Sequence, residues 1–111
     1  MAGFVSGNVV VVHFPFSDLS QTKSRPALIL AMLNGDDVIL CQITSQATSD
    51  QYSVQLDSAD FQAGGLNHMS NIRPNRLFTA DSGIILYKAG HVHSRKLIEV
   101  RDRVIVILRG S

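Results

Sequence analysis

Arg25, Thr44 and Ser45 are the residues of this chain whose side chains, if brought together, could act on a phosphate. A guanidinium offers paired donors in a planar fork that matches two phosphate oxygens at once. A hydroxyl can hold another phosphate oxygen or orient an attacking group. Arg73-Pro74-Asn75-Arg76 supplies two more cations around a proline, able to face the same anion. Each of these has an ordinary role as well. An arginine at the start of a strand is commonly a solvated surface residue, hydroxyls at a strand end commonly satisfy local backbone groups, and a solvated turn accounts equally for residues 73–76. No histidine-plus-carboxylate set adjoins Thr44 or Ser45 in sequence, which argues against a serine-hydrolase triad.

Other residues with chemical potential have plainer readings. His91-Val92-His93 has metal-compatible spacing on a strand, but no third ligand is evident, and a surface linker fits as well. His13, within an apolar run, reads as a satisfied structural histidine. Asp18 and Asp50 fall in polar loops and are candidate acids or bases. Cys41 sits in Val-Ile-Leu-Cys with no adjoining cation, as a core thiol rather than a reactive one does.

The elements that must position these residues are short and mostly β. Asn8 to Phe14 is continuously apolar and β-branched, which predicts a buried strand ended by Pro15. Ser17 to Ser24 reads as a polar loop. Pro26 biases Arg25 to an extended backbone, and Ala27 to Leu33 predicts a second strand. Asn34-Gly35-Asp36-Asp37 is a turn signal close to the type I′ pattern, so Val38 to Thr44 should return antiparallel. Counted from that turn, Arg25 and Thr44 lie at the open end of the hairpin, facing each other across neighbouring strands. This hairpin is what should bring a guanidinium within reach of two hydroxyls.

Residues 46–51 form a second polar loop, and Tyr52 to Leu56 alternates as a half-solvated strand does. Asp57 to Asp60 reads as a turn, and Gly64-Gly65 permits close backbone approach. Asn67 to Arg73 predicts a weak strand stopped by Pro74. Leu77 to Thr79 and Gly83 to Tyr87 are short apolar pieces around a turn at residues 80–82. Closely spaced short strands point to a small barrel or sandwich. After Gly90 the apolar period changes: residues 97, 100, 104, 107 and 108 predict a helix, with Ser94 as N-cap and Gly110 closing it.

At 111 residues the chain is long enough for one domain, spanning 1–111, and not for two. A composition of 45% hydrophobic and 17% charged residues suits an ordinary globular protein. No apolar run approaches the roughly 20 residues of a membrane span, and the N-terminus lacks the pattern of a signal peptide. One cysteine excludes an intramolecular disulfide. A cytoplasmic location with no membrane partner is the expectation. The net charge of +1 is uneven: residues 1–90 carry five Lys/Arg and seven Asp/Glu, residues 91–111 five and two. Any anion site in the first part therefore rests on a few placed cations: Lys23, Arg25, Arg73, Arg76 and Lys88.

Three segments taken together resemble the PemK/MazF family of toxin endoribonucleases: Gly7-Asn8 to Leu19, Lys23-Ser24-Arg25-Pro26-Ala27-Leu28-Ile29-Leu30, and Cys41-Gln42-Ile43-Thr44-Ser45-Gln46. The likeness continues through Ser70 to Thr79 and the basic C-terminal segment, in the same order along nearly the whole chain. The resemblance implies a mainly β, small SH3-like barrel with a C-terminal helix, usually a homodimer. It implies a type II toxin–antitoxin toxin, partnered by an antitoxin protein, that cuts single-stranded RNA at short sequences without metal or other cofactor. It implies Arg25 and Thr44 as catalytic residues, with Ser45 and Arg73 beside them. It further implies Phe16, Asp18, Ser20, Lys23, Gln46, Asn75 and Arg76 as RNA-binding, in a groove framed by the 17–24 and 45–51 loops. Some members carry an aspartate two residues after the second arginine, where this chain has Asn75, and an amide cannot exchange a proton as a carboxylate does. The general base is therefore unassigned. A competing implication comes from the CcdB toxins, which share the barrel but bind DNA gyrase and cleave nothing; a barrel that binds RNA or peptide without cleavage is the third.

Overall fold

The computed structural model describes residues 3–15, 22–47 and 50–110. Among the described residues seven strands and one α-helix are formed: β1 (Asn8–Pro15), β2 (Thr22–Met32), β3 (Asp37–Thr44), β4 (Val54–Leu56), β5 (Phe61–Gly64), β6 (Ser70–Asp81), β7 (Ile85–Val92) and α1 (Ser94–Arg109). All strand pairs are antiparallel, in the order β4-β6-β3-β2-β1-β7-β5. β4 and β5 are the outermost strands, yet only a short 3-10 turn (Ser58–Asp60) separates them in the chain. The sheet must therefore curl until its two edges meet, which makes it a half-barrel. A capping box fixes that corner: Asp57 accepts from Ala59 N–H, and Asp60 accepts from Asp57 N–H.

β1, β2 and β3 are apolar on both faces because the curled sheet covers both. Val9, Leu28, Cys41, Ile43, Ile72 and Val100 form one core under the helix. Val10, Val12, Ala27, Ile29, Val38 and Leu40 form a second core on the other face. Each such side chain taken from water contributes about 1.5–3 kcal/mol. Cys41 lies in the first core, and burial pushes its thiol up to about 12. The reading of an inert core thiol holds.

The structure corrects several strand expectations. β2 starts at Thr22, five residues earlier than predicted, and runs through Arg25-Pro26. Pairing with β3 begins only at Ala27, so the missing N–H of Pro26 costs no bond on that side. β6 passes through Pro74 instead of stopping: Arg73 pairs with Gln42 and Leu77 with Cys41, so residues 74–76 form a bulge where a proline is tolerated. The hairpin turn is not type I′, because among the described residues only glycines have positive φ, Gly35 here at 78°. A four-residue connection closed by Leu33 N–H to Asp37 O takes its place. His13 is exposed rather than buried, since two-sided burial of β1 ends at Val12.

The helix forms as its periodicity predicts, with Gly110 closing it in the left-handed region. His93, whose N–H donates to Asp60 O, is the N-cap rather than Ser94. Val100 is fully buried, and Leu97 and Val104 pack on the first core. Arg101 donates from Nε and Nη2 to Leu30 O at 3.0 and 2.7 Å. Leu30 is the residue skipped in the β2–β3 register, so the guanidinium satisfies a carbonyl that a bulge removes from the ladder. Beside it an apolar groove of about 300 Å³ is lined by Ala31, Ile39, Leu77, Val104, Ile105 and Leu108.

Candidate active site

The β2–β3 ladder ends at the pair Ala27 with Gln42, two residues short of Arg25 and Thr44. The register that pairs Ala27 with Gln42, continued by two residues, sets Arg25 opposite Thr44. On the flanking strands Arg25 pairs with Val12 and Thr44 with Asn71. A single row across the sheet thus carries Arg25, Thr44 and Asn71. The two hydroxyls then diverge. Thr44 is half-buried, and its Oγ1 accepts from Gln46 N–H at 3.2 Å. Ser45 is exposed and reaches a cleft that Arg25 also lines.

That cleft has a volume of about 340 Å³ and opens at the end of the hairpin away from the Gly35 turn. β1 contributes Val11; β2 contributes Ser24, Arg25 and Pro26; β3 contributes Ile43 and, just past its end, Ser45. The segment before β6 contributes Leu66, Asn67 and His68, followed by Ser70, and β7 contributes Tyr87. Arg25 is the one cation on its wall and no carboxylate lines it, among the described residues. Such a lining suits an anion, with donors and an aromatic ring around it.

A glycine crossing aims the 65–69 segment at this cleft. Gly64 has φ 67°, and a Cβ there would lie 2.3 Å from Ala89 O. Gly90 is as tight, its Cβ position 2.7 Å from Ala63 O, and Gly65 N–H donates to Ala89 O. β5 and β7 can touch only without side chains at these points. The chain leaving Gly65 then turns so that Leu66 packs on the first core and His68 reaches the cleft.

Arg73 lies elsewhere. Its Nη2 pairs with Asp50 Oδ2 at 3.0 Å, both side chains about three-quarters covered, and its buried Nε has no hydrogen-bond partner among the described residues. Asp50 also accepts from Tyr52 N–H and Ser53 N–H. The Tyr52 amide first, then Arg73 and the Ser53 amide, hold its carboxyl below the usual range against the opposing effect of burial. Asp50 thus shapes the loop after β3 and steadies Arg73. Arg73 is not among the cleft-lining residues; it sits on the same face as Gln42 and Thr44, one pair along.

Asn75 and Arg76 are exposed in the β6 bulge, and Gln46 is exposed after Thr44, its carbonyl accepting from Asn71 Nδ2. Lys23 is in β2, its side chain outside the description; Phe16, Asp18 and Ser20 lie outside the described residues. His91 and His93 do not form a linker pair. His91 ends β7 with Nδ1 2.9 Å from buried Asn8 Nδ2, and His93 caps the helix. Sequence reasoning missed Ser24, Asn67, His68 and Tyr87 as cleft residues. The one signal pointing to them was Gly64-Gly65.

With this geometry in hand, three solved structures are alike in fold. A chain of the MazE–MazF complex from Deinococcus radiodurans superposes with a TM-score of 0.77 at 20% identity, covering 97% of both chains. MazF from the same organism gives 0.75 at 21%, covering 95% of this chain and 96% of that one. A mycobacterial endoribonuclease in complex with its cognate antitoxin gives 0.72 at 13%, covering 98% of both. At these identities the likeness establishes the fold. No match is found among curated proteins. The model of the PemK-like, MazF-like toxins of type II toxin–antitoxin systems matches residues 6–108, nearly the whole chain, and the protein belongs to that family.

Proposed function

We propose that this protein is the toxin of a type II toxin–antitoxin pair and cleaves single-stranded RNA at the Arg25 cleft. The observation that carries this reading is the cleft itself: Arg25 and Ser45 are among its lining residues, Thr44 precedes Ser45 in the chain, and no carboxylate is among the described lining residues to repel a phosphate. The solved structures alike in fold include an endoribonuclease in complex with its cognate antitoxin, which supports the same assignment. RNA carries its own nucleophile, so the enzyme needs only charge stabilisation and proton transfer. The 2′-oxygen bonds to phosphorus and gives up its proton, the bond from phosphorus to the 5′-oxygen breaks, and the leaving oxygen takes a proton. The products are a 2′,3′-cyclic phosphate and a 5′-hydroxyl. Arg25 counters the charge that builds on the phosphate oxygens, and Thr44 and Ser45 orient it. Lys23, Gln46, Asn75 and Arg76, with Phe16, Asp18, Ser20 and Arg73, are the residues we assign to holding the strand beyond the scissile bond. Bases splayed from single-stranded RNA would be read on their edges.

Homodimerisation and capture by an antitoxin belong to the same proposal. Ile98, Ile105, Val106 and Leu108 are exposed apolar residues on the helix that a partner could cover. The deciding experiment incubates the pure protein with a long RNA in EDTA and maps the cut ends. Discrete cuts with 5′-hydroxyl ends are expected, and Arg25→Ala should remove them. Binding without cuts would point to the non-enzymatic readings, gyrase binding among them.

A further inference from the structure

The cleft contains a proton carrier that the family resemblance did not supply. We infer that His68 is the general base of this site, accepting the proton of the RNA 2′-hydroxyl; the inference rests on the endoribonuclease reading above. Removing a proton from that hydroxyl near neutral pH calls for a group that exchanges protons there, and imidazole is the side chain suited to it. Among the described residues, the other groups weighed for this role do not serve. The Arg25 guanidinium offers donors only. Asn75 is an amide, and it stands exposed in the β6 bulge. Asp50 is committed to Arg73 and two backbone amides, and it does not line the cleft.

The remaining histidines are placed differently. His91 uses Nδ1 on buried Asn8, and its ring lies against Gly7, where an added Cβ would come within 2.9 Å of Cε1. His93 begins the helix at the β4–β5 corner. His13 pairs with Ser24 at the end of β1 but does not reach the lining. His68 alone of the four lines the cleft with Arg25 and Ser45.

Its setting fits the role. The His68 carbonyl accepts from the Ser70 hydroxyl at 3.0 Å, and Ser70 is buried, so the backbone of this cleft-lining residue is held. Neither ring nitrogen has a hydrogen-bond partner among the described residues, which leaves both for substrate. Among the described residues, the other charged or titratable ones lining the cleft are Arg25 from β2 and Tyr87 from β7. Tyr87 is 58% exposed and offers a ring on which a base can stack. A cleft of 340 Å³ is near the small end of ligand sites, so a ribose held there lies close to every wall.

As the 2′-oxygen bonds to phosphorus, its proton passes to an imidazole nitrogen of His68. The bond from phosphorus to the 5′-oxygen breaks, and that oxygen takes a proton from water. The imidazolium then returns its proton to solvent.

The test is single-turnover cleavage of a long single-stranded RNA between pH 5 and 9 by the wild-type chain, His68→Gln, His68→Gly, His13→Gln and Arg25→Ala. His68 is exposed, so its variants should keep the wild-type circular dichroism and melting temperature. The wild-type rate should fall tenfold per pH unit on the acid side. His68→Gln should lose about 10²–10⁴-fold at pH 7 with unchanged KM, and the acid limb should vanish. Added imidazole should restore part of the rate to His68→Gly. Wild-type rate and acid limb in His68→Gln, or transfer of the loss to His13→Gln, would overturn the role of His68 while Arg25→Ala still reported a nuclease. No cuts by the wild-type chain at all would take down the nuclease reading first, and this inference with it.

Discussion

The cleft at Arg25 and the groove beside the helix are close in size, about 340 and 300 Å³, and opposite in lining. Each has an arginine on its wall. In the groove Arg101 gives two donors to the carbonyl that the β2 bulge leaves out of the ladder, so its charge is part of the packing. In the cleft Arg25 stands with Ser45, Asn67, His68 and Tyr87, where donors and a proton carrier surround a space an anion can fill. Volume says nothing about use. The chemistry of the lining does.

Substitutions at the two arginines should separate these uses. Arg25→Ala is expected to lower RNA cleavage by at least about 10²–10³-fold while the melting temperature stays near wild type, read by gel assay and calorimetry. Arg101→Ala should do the reverse, destabilising by roughly 2 kcal/mol in urea titration because a carbonyl is left without its charged donors. Equal loss of stability in both variants would erase the distinction. Gly64→Ala should cost about 1–3 kcal/mol, since the backbone keeps φ 67° and Cβ meets Ala89 O. It should also slow cleavage by moving the 65–69 segment, a double effect that neither arginine variant gives.

Smaller effects follow from Asp50 and Leu108. The Asp50 carboxyl titrates below its unfolded value, so the unfolded chain takes up that proton first. Its contribution is present above the ordinary carboxylate range and is lost as pH falls through the lowered value. The urea midpoint should therefore decline below about pH 4, and Asp50→Asn should flatten that decline. Leu108 is 73% exposed at the groove's edge, and Leu108→Ser should change stability by no more than about 0.5 kcal/mol.

The hairpin was legible because its signals are local. Asn34-Gly35 marks the turn, the flanking strands are apolar, and counting outward places Arg25 against Thr44. The helix was legible from its period and from Gly110. The β5 strand was not, because Phe61-Gln62-Ala63-Gly64 has little apolar character and exists by pairing with β7, 26 to 31 residues on. β6 was cut in two on paper because Pro74 breaks a uniform ladder, while in the sheet a bulge accommodates it. His68 and Tyr87 could not be seen as neighbours of Arg25 for the same reason. Their approach depends on which distant strands pair, and local residue chemistry does not encode that.

The sheet order carries one more consequence. β1, the earliest of the described strands along this sequence, finds one of its two partners in β7, the latest. The cleft inherits this dependence, since Val11 and Tyr87 face each other across that pairing and both line it. On the ribosome, a chain that has not yet released residues 85–92 has no such cleft to present. The cleft is complete only when β7 has docked against β1.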